Sequence, residues 1–162
     1  MQLISDKIEA ERKFLVDVVG ELPQCRVLEI FQTYLIAENG ENRRIRKITE
    51  NGESVFIKTT KRALSSFERI EKEWVITSEE YEELMHFANP EKITIHKIRR
   101  GFMWDNRYLE LDSFICPKLS HCLLEIEDVT KETIISFPPF LKVLDEVTDN
   151  PSYYNANIAN KR

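Results

Sequence analysis

Glu9-Ala10-Glu11-Arg12-Lys13-Phe14-Leu15-Val16 can be read in two ways, and the choice decides the fold. Residue by residue, Glu, Ala, Arg and Lys favour helix. Phe14, Leu15 and Val16, however, continue the segment as a buried, strand-like run. In a strand, side chains repeat every second residue, so Glu9, Glu11 and Lys13 share one face. The strand reading is preferred because the same spacing of charge recurs in Arg44-Ile45-Arg46, Arg69-Ile70-Glu71-Lys72-Glu73, Lys97-Ile98-Arg99 and Glu125-Ile126-Glu127. One such set would describe any solvated sheet face. Five sets, some acidic and some basic, suggest a single site in which a polyanion is held through metal ions by the acids and directly by the bases.

Working outward, Tyr108-Leu109-Glu110-Leu111-Asp112 alternates apolar and acidic residues, as does Leu123-Leu124-Glu125-Ile126-Glu127. Asn51-Gly52 is a hairpin turn, joining the Arg44/Arg46 strand to one that carries Val55, Ile57 and Lys58. One helix is marked by a Thr77 or Ser78 cap, by Glu79 and Glu80 in its first turn and by Asn89-Pro90 at its end. Its Tyr81, Leu84, Met85 and Ala88 would pack on the outside of a sheet. A second short helix is expected from Thr130 to before Pro138-Pro139, and a last one from Tyr154 to Asn160.

The 162 residues suit one domain, residues 1–162, and 42% hydrophobic content suffices for a core. A formal net charge of -5 argues against a general nucleic-acid binder. Cys25, Cys116 and Cys122 are odd in number and lack CxxC spacing, which implies neither a disulfide framework nor a zinc knuckle. The N-terminus does not read as a signal peptide and no segment is long enough to span a membrane, so a cytoplasmic protein with no membrane partner is expected.

The ordered charge motifs resemble those of the CYTH proteins, the triphosphate tunnel metalloenzymes. Glu9 to Lys13 is similar to their ExExK signature and Tyr34-Leu35 to the strand opening that follows. Arg44-Ile45-Arg46 matches RxR, Lys58 the lysine ending the next strand, Arg69, Glu71 and Glu73 RxExE, and Lys97 with Arg99 KxR. Glu110 and Asp112 match ExD, Glu125 and Glu127 match ExE, and Glu146-Val147-Thr148 through Tyr153 and Asn155 is similar to the C-terminal stretch of short bacterial members. The resemblance implies an α+β fold: an antiparallel eight-stranded β-barrel forming an open-ended tunnel, with helices packed outside. Departures are Phe56, where many members have Thr two residues before the strand lysine, and Ser152 and Tyr154, which replace basic residues.

In this frame Glu9, Glu11, Glu125 and Glu127 are the leading metal ligands, and Glu110 and Asp112 further ones. Oxygen ligands alone suit Mg²⁺ or Mn²⁺. Lys13, Arg44, Arg46, Lys58, Arg69, Lys97 and Arg99 would grip phosphoryl oxygens, while Arg43, Lys47 and Arg100 fall on the opposite face. Lys13, Tyr34, Glu71 and Glu73 are the candidate catalytic groups. His86, His96 and His121 show no paired metal-ligand spacing.

The implied activity is metal-dependent hydrolysis of a small-molecule triphosphate, inorganic tripolyphosphate or an organic ester, with no nucleic-acid partner. Two alternatives are a class IV-type adenylyl cyclase, making cyclic AMP and pyrophosphate, and a non-catalytic polyphosphate- or nucleotide-binding module. Many barrels of this kind pair as homodimers, and the residues leave that open.

Overall fold

The computed structural model describes residues 1–65 and 67–162. Its strands are β1 (Gln2–Val18), β2 (Arg26–Tyr34), β3 (Asn42–Glu50), β4 (Glu53–Ala63), β5 (Glu68–Ile76), β6 (Ile95–Trp104), β7 (Arg107–Cys116), β8 (Cys122–Glu127) and β9 (Leu141–Glu146). The order β5-β4-β3-β2-β6-β7-β8-β1 closes on itself through an antiparallel β1–β5 pairing, giving an eight-stranded barrel with β9 added on β1. The long β1 makes this closure possible. It pairs with β5 from Gln2 to Ala10, with β8 from Glu11 to Val16, and with β9 from Phe14 to Val18.

Tight turns fix the register. Asn51 and Gly52 both have positive φ, 51° and 80°, as a two-residue hairpin turn with the right twist requires. Asp105 and Asn106 do the same between β6 and β7, at 48° and 58°.

Alternation then sorts side chains. Leu109, Leu111, Leu124 and Ile126 point out of the barrel, where Phe14, Val16 and Phe102 join them and Val129 and Leu141 cover them. Helix α1 (Ser78–Met85) covers a second outer patch, with Tyr81 against Leu35, Ile45 and Ile76. Its Thr77 side chain accepts from the Glu80 amide while Glu80 accepts from the Thr77 amide, a complete capping box. Thr77→Ala is expected to cost about 1 kcal/mol, measured as a lower urea midpoint with an unchanged slope.

Two expectations are corrected. No helix forms between Thr130 and Pro138. Instead the Thr133 hydroxyl accepts from the Thr130 amide, and Arg12 Nη1 donates to the Thr133 carbonyl oxygen at 2.6 Å. Local side-chain bonding in a β-branched run wins over the helical ladder. Nor is the barrel open at both ends. Tyr34, Ile95, Phe114 and Leu123 face inward at one end and pack against Val147, Ile158 and Ala159. The C-terminal segment, a 3-10 turn (Pro151–Tyr153) and then α2 (Asn155–Ile158), covers much of that end. No described helix is long and apolar enough to cross a membrane.

Candidate active site

Above this apolar cover, the next inward positions of every barrel strand except β2 are ionic. They surround a cavity of about 640 Å³ lined by Glu9, Glu11 and Lys13 of β1, Arg44 and Arg46 of β3, and Arg69, Glu71 and Glu73 of β5. Lys97 and Arg99 of β6, Glu110 of β7, Glu125 and Glu127 of β8 and Tyr34 of β2 complete the ring. The barrel converts a period of two into convergence: residues spread over more than a hundred positions meet in one lumen.

Two expected site residues are not in it. Lys58 points outward, its ammonium 5.2 Å from the Trp74 ring centroid. The two-residue turn pairs Arg44 with Thr59, Arg46 with Ile57 and Asn42 with Lys61, so the inward residues of β4 are odd-numbered. Lys61 takes the lumenal place. Its Nζ donates to Glu9 Oε1 at 2.9 Å and lies 3.3 Å from Glu71 Oε2. Thr59-Thr60-Lys61 therefore occupies the place of Thr, spacer and lysine, and Phe56 is an outward contact of Tyr81. Asp112 is the second correction. It is 0% exposed and does not line the cavity, because Lys97 Nζ (2.9 Å) and Arg99 Nε and Nη2 (2.7 and 2.8 Å) saturate its carboxylate. It anchors the bases from behind.

Other acids are also drawn to cations. Glu110 accepts from Arg99 at 3.0 Å, and Glu125 lies 3.6 Å from Lys13 and 3.3 Å from Arg99. Glu73 accepts from Arg46 and, at 2.9 Å, from the Thr59 hydroxyl. Glu9, paired with Lys61, and Glu127, 3.4 Å from Lys7, converge with Glu11. Each offers a carboxylate oxygen, and the three lie within 4.8 Å of one another. An all-oxygen set of this kind suits a hard divalent cation, and Glu11 has no cation bonded to it among the described residues.

On the basic side, Arg44 and Arg69 make no ion pair among the described residues, although Arg69 lies 5.2 Å from the Tyr154 ring. The buried Nε–H groups of Arg44 and Arg46 have no hydrogen-bond acceptor among the described residues. Unpartnered buried donors are costly, and an anion's oxygens would satisfy them. Lys13 donates to the Tyr153 carbonyl oxygen and Lys97 to Asn155 Oδ1, both at 3.0 Å, so the C-terminal segment touches the deepest cations. Tyr34 is a buried wall residue whose hydroxyl accepts from Gln32 Nε2 at 2.9 Å. The histidines lie elsewhere: His96 against Glu29 and Phe31, His121 against Asp17, and His86 at the end of α1.

Crowding of like charge shows in the protonation states. Burial pushes the Glu11 carboxyl up to about 7, with Glu125 adding to it while Lys61 and Lys13 oppose. Burial, then the hydrogen bond shared with Glu9, pushes Glu71 up to about 8. Burial would raise Glu9 too, but the Glu71 hydrogen bond and the charges of Lys61 and Arg44 hold it down at about 2. Glu125 is likewise desolvated, yet Lys13, Arg99 and Lys97 keep it well below the usual carboxylate range. Burial lowers Lys97 to about 8 despite Asp112.

The raised pair stabilises the fold below the ordinary carboxylate value of 4.5, and that contribution is lost as pH rises through about 7 and 8. The melting temperature of the metal-free protein is therefore expected to fall between about pH 5 and pH 8, and to fall less in Glu11→Gln. Scanning fluorimetry across that range checks this. Parallel wild-type and variant profiles would contradict it.

No protein-family model matches the chain, and no curated protein sequence does. Solved structures do. The inorganic triphosphatase NE1496 superposes with a TM-score of 0.61 at 22% identity, covering 98% of this chain and 97% of that one. This is the CYTH triphosphate-tunnel fold. The tunnel architecture is shared with PH1819 from Pyrococcus horikoshii OT3, at TM-score 0.59 and 22% identity over 76% of this chain and 79% of that one. It is shared too with bh2851 from Bacillus halodurans, put forward as an adenylate cyclase, at TM-score 0.55 and 19% identity over 80% and 84%.

Proposed function

We propose that the protein is a metal-dependent triphosphatase acting on inorganic tripolyphosphate or a small organic triphosphate. The observation that carries this is the division of one lumen: three convergent carboxylates on β1 and β8 face a wall of arginines in which the buried Nε–H groups of Arg44 and Arg46 lack acceptors among the described residues. Pure anion binding needs only the second wall. The naming of the similar NE1496 as an inorganic triphosphatase points the same way.

Glu9, Glu11 and Glu127 would hold Mg²⁺ or Mn²⁺, which when bound neutralises phosphoryl charge. Arg44, Arg46 and Arg69 grip the phosphate chain, Arg46 fixed by Glu73 and Thr59. Lys13, Lys97 and Arg99 extend the cationic wall toward the C-terminal cover. Hydrolysis forms one bond from water oxygen to the terminal phosphorus as the bond to the leaving diphosphate breaks, and the water's proton departs. Glu71, held against Glu9 and Lys61, is placed to orient that water. Positioning and charge stabilisation supply most of the acceleration in such reactions.

The test is incubation of purified protein with tripolyphosphate, thiamine triphosphate and ATP, with and without Mg²⁺ or Mn²⁺. Metal-dependent phosphate release is expected. Cyclic AMP with pyrophosphate would establish a cyclase instead, and tight binding without product a binding module.

A further inference from the structure

On the β3-β2-β6-β7 side the ionic lining stops before the mouth opposite the C-terminal cover, whereas on β1 and β8 it continues to Lys7 and Glu127. Along β2, the inward positions after Gln32 are Ile30 and Leu28. On β3, Ile48 follows Arg46, and Ile30 and Ile48 are paired. On β6, Gly101 follows Arg99, and on β7, Tyr108 follows Glu110. Leu28, Ile30, Ile48 and Tyr108 all line the cavity. These strands are consecutive in the barrel, so the four side chains form one apolar arc beside Arg46 and Arg99.

Gly101 is essential to this arc. A Cβ there would lie 1.7 Å from the Tyr108 hydroxyl oxygen and 2.4 Å from its ring carbon Cζ. The absent side chain leaves the Tyr108 ring room to lie across β6, yet the residue remains 43% exposed. A rim pair follows, with Arg26 donating to Glu50 at 2.7 and 3.0 Å. An accessible aromatic ring flanked by aliphatic side chains, adjoining phosphate-gripping cations, offers nothing to a bare polyphosphate. It offers a face to a planar group joined to one.

Resting on the triphosphatase reading, we infer that this arc seats the organic part of the substrate, which is a triphosphate ester carrying a flat ring, and that Tyr108 over Gly101 determines specificity for it. The phosphates enter first and the ring stays at the mouth.

The experiment measures kcat/KM for ATP, thiamine triphosphate and tripolyphosphate with Mg²⁺, in the full chain, Tyr108→Ala and Gly101→Ala. The second variant displaces the ring without removing it. For at least one ester, the ratio of ester to tripolyphosphate is expected to fall about tenfold in both variants, the size of one lost stacking contact. Ratios within twofold of wild type for both esters would overturn the inference. If none of the three is turned over, the hydrolase reading fails by itself. Calorimetric binding of ATP and tripolyphosphate then decides: a tenfold loss of ATP preference in Tyr108→Ala supports the seat, and unchanged preference rejects it.

Discussion

Glu11→Gln is expected to lower metal-dependent phosphate release from tripolyphosphate by about a hundredfold or more, the scale seen when one group stabilising transferred charge is removed. Glu11 belongs to the three-carboxylate cluster with Glu9 and Glu127, and is the member with no cation bonded to it among the described residues. The amide keeps the shape and removes the charge. Because burial and Glu125 already penalise the ionised Glu11, the same substitution is expected to raise the melting temperature of the metal-free protein at pH 8. Activity and stability thus move in opposite directions. A purely structural residue would lower both, and turnover within threefold of wild type would remove Glu11 from the site.

Lys61→Ala carries the second large effect. Its ammonium lies between Glu9 and Glu71, 2.9 and 3.3 Å from their oxygens. Removing it leaves two buried carboxyls facing each other with only their shared hydrogen bond and the charge of Arg44 to compensate, expected to cost about 3 kcal/mol in urea unfolding. It also withdraws a cation from the lumen, so turnover is expected to fall at least tenfold under conditions where the protein is still folded, an estimate at the low end for removing a positioned charge. Lys58→Ala is the matched control. Its side chain lies outside the barrel over Trp74, and near wild-type turnover is expected. Equal losses in the two variants would mean that β4 is placed one residue out of register.

The contrast between these lysines shows what could be read before the structure. Strand periodicity puts Glu9, Arg46, Glu71, Lys97 and Glu125 each on one face of its strand, since two-residue spacing survives any tilt or twist, and the resemblance to the CYTH proteins implies that these faces meet in one lumen. Lys61 was legible too. Counting outward from the Asn51-Gly52 turn pairs Arg44 with Thr59 and so makes Lys58 outward, whereas the family resemblance points to Lys58. The capture of Asp112 by Lys97 and Arg99 was not legible, because it depends on which neighbouring strands meet and at what height. The missing helix after Thr130 reflects the same limit: Arg12, far away in the chain, takes the carbonyl that a helix would have used. The C-terminal cover rests on contacts among Tyr34, Phe114, Leu123 and Ile158, which no local pattern announces.

The β1–β8 seam sets the timing of assembly. Glu11 stands opposite Glu127 across it, and Ala10, one residue earlier, still belongs to the β5 pairing. Hairpins such as β3–β4 or β6–β7 can mature early from near neighbours, whereas this junction must wait for the two ends of the chain to meet, the slowest kind of encounter in a folding polypeptide. A chain arrested with its ring unzipped would have nearly all its native strands and still lack the cluster of Glu9, Glu11 and Glu127. With Glu9, Glu11 and Glu127 as the proposed metal ligands, affinity for Mn²⁺ is expected to return last on refolding, trailing the recovery of sheet structure.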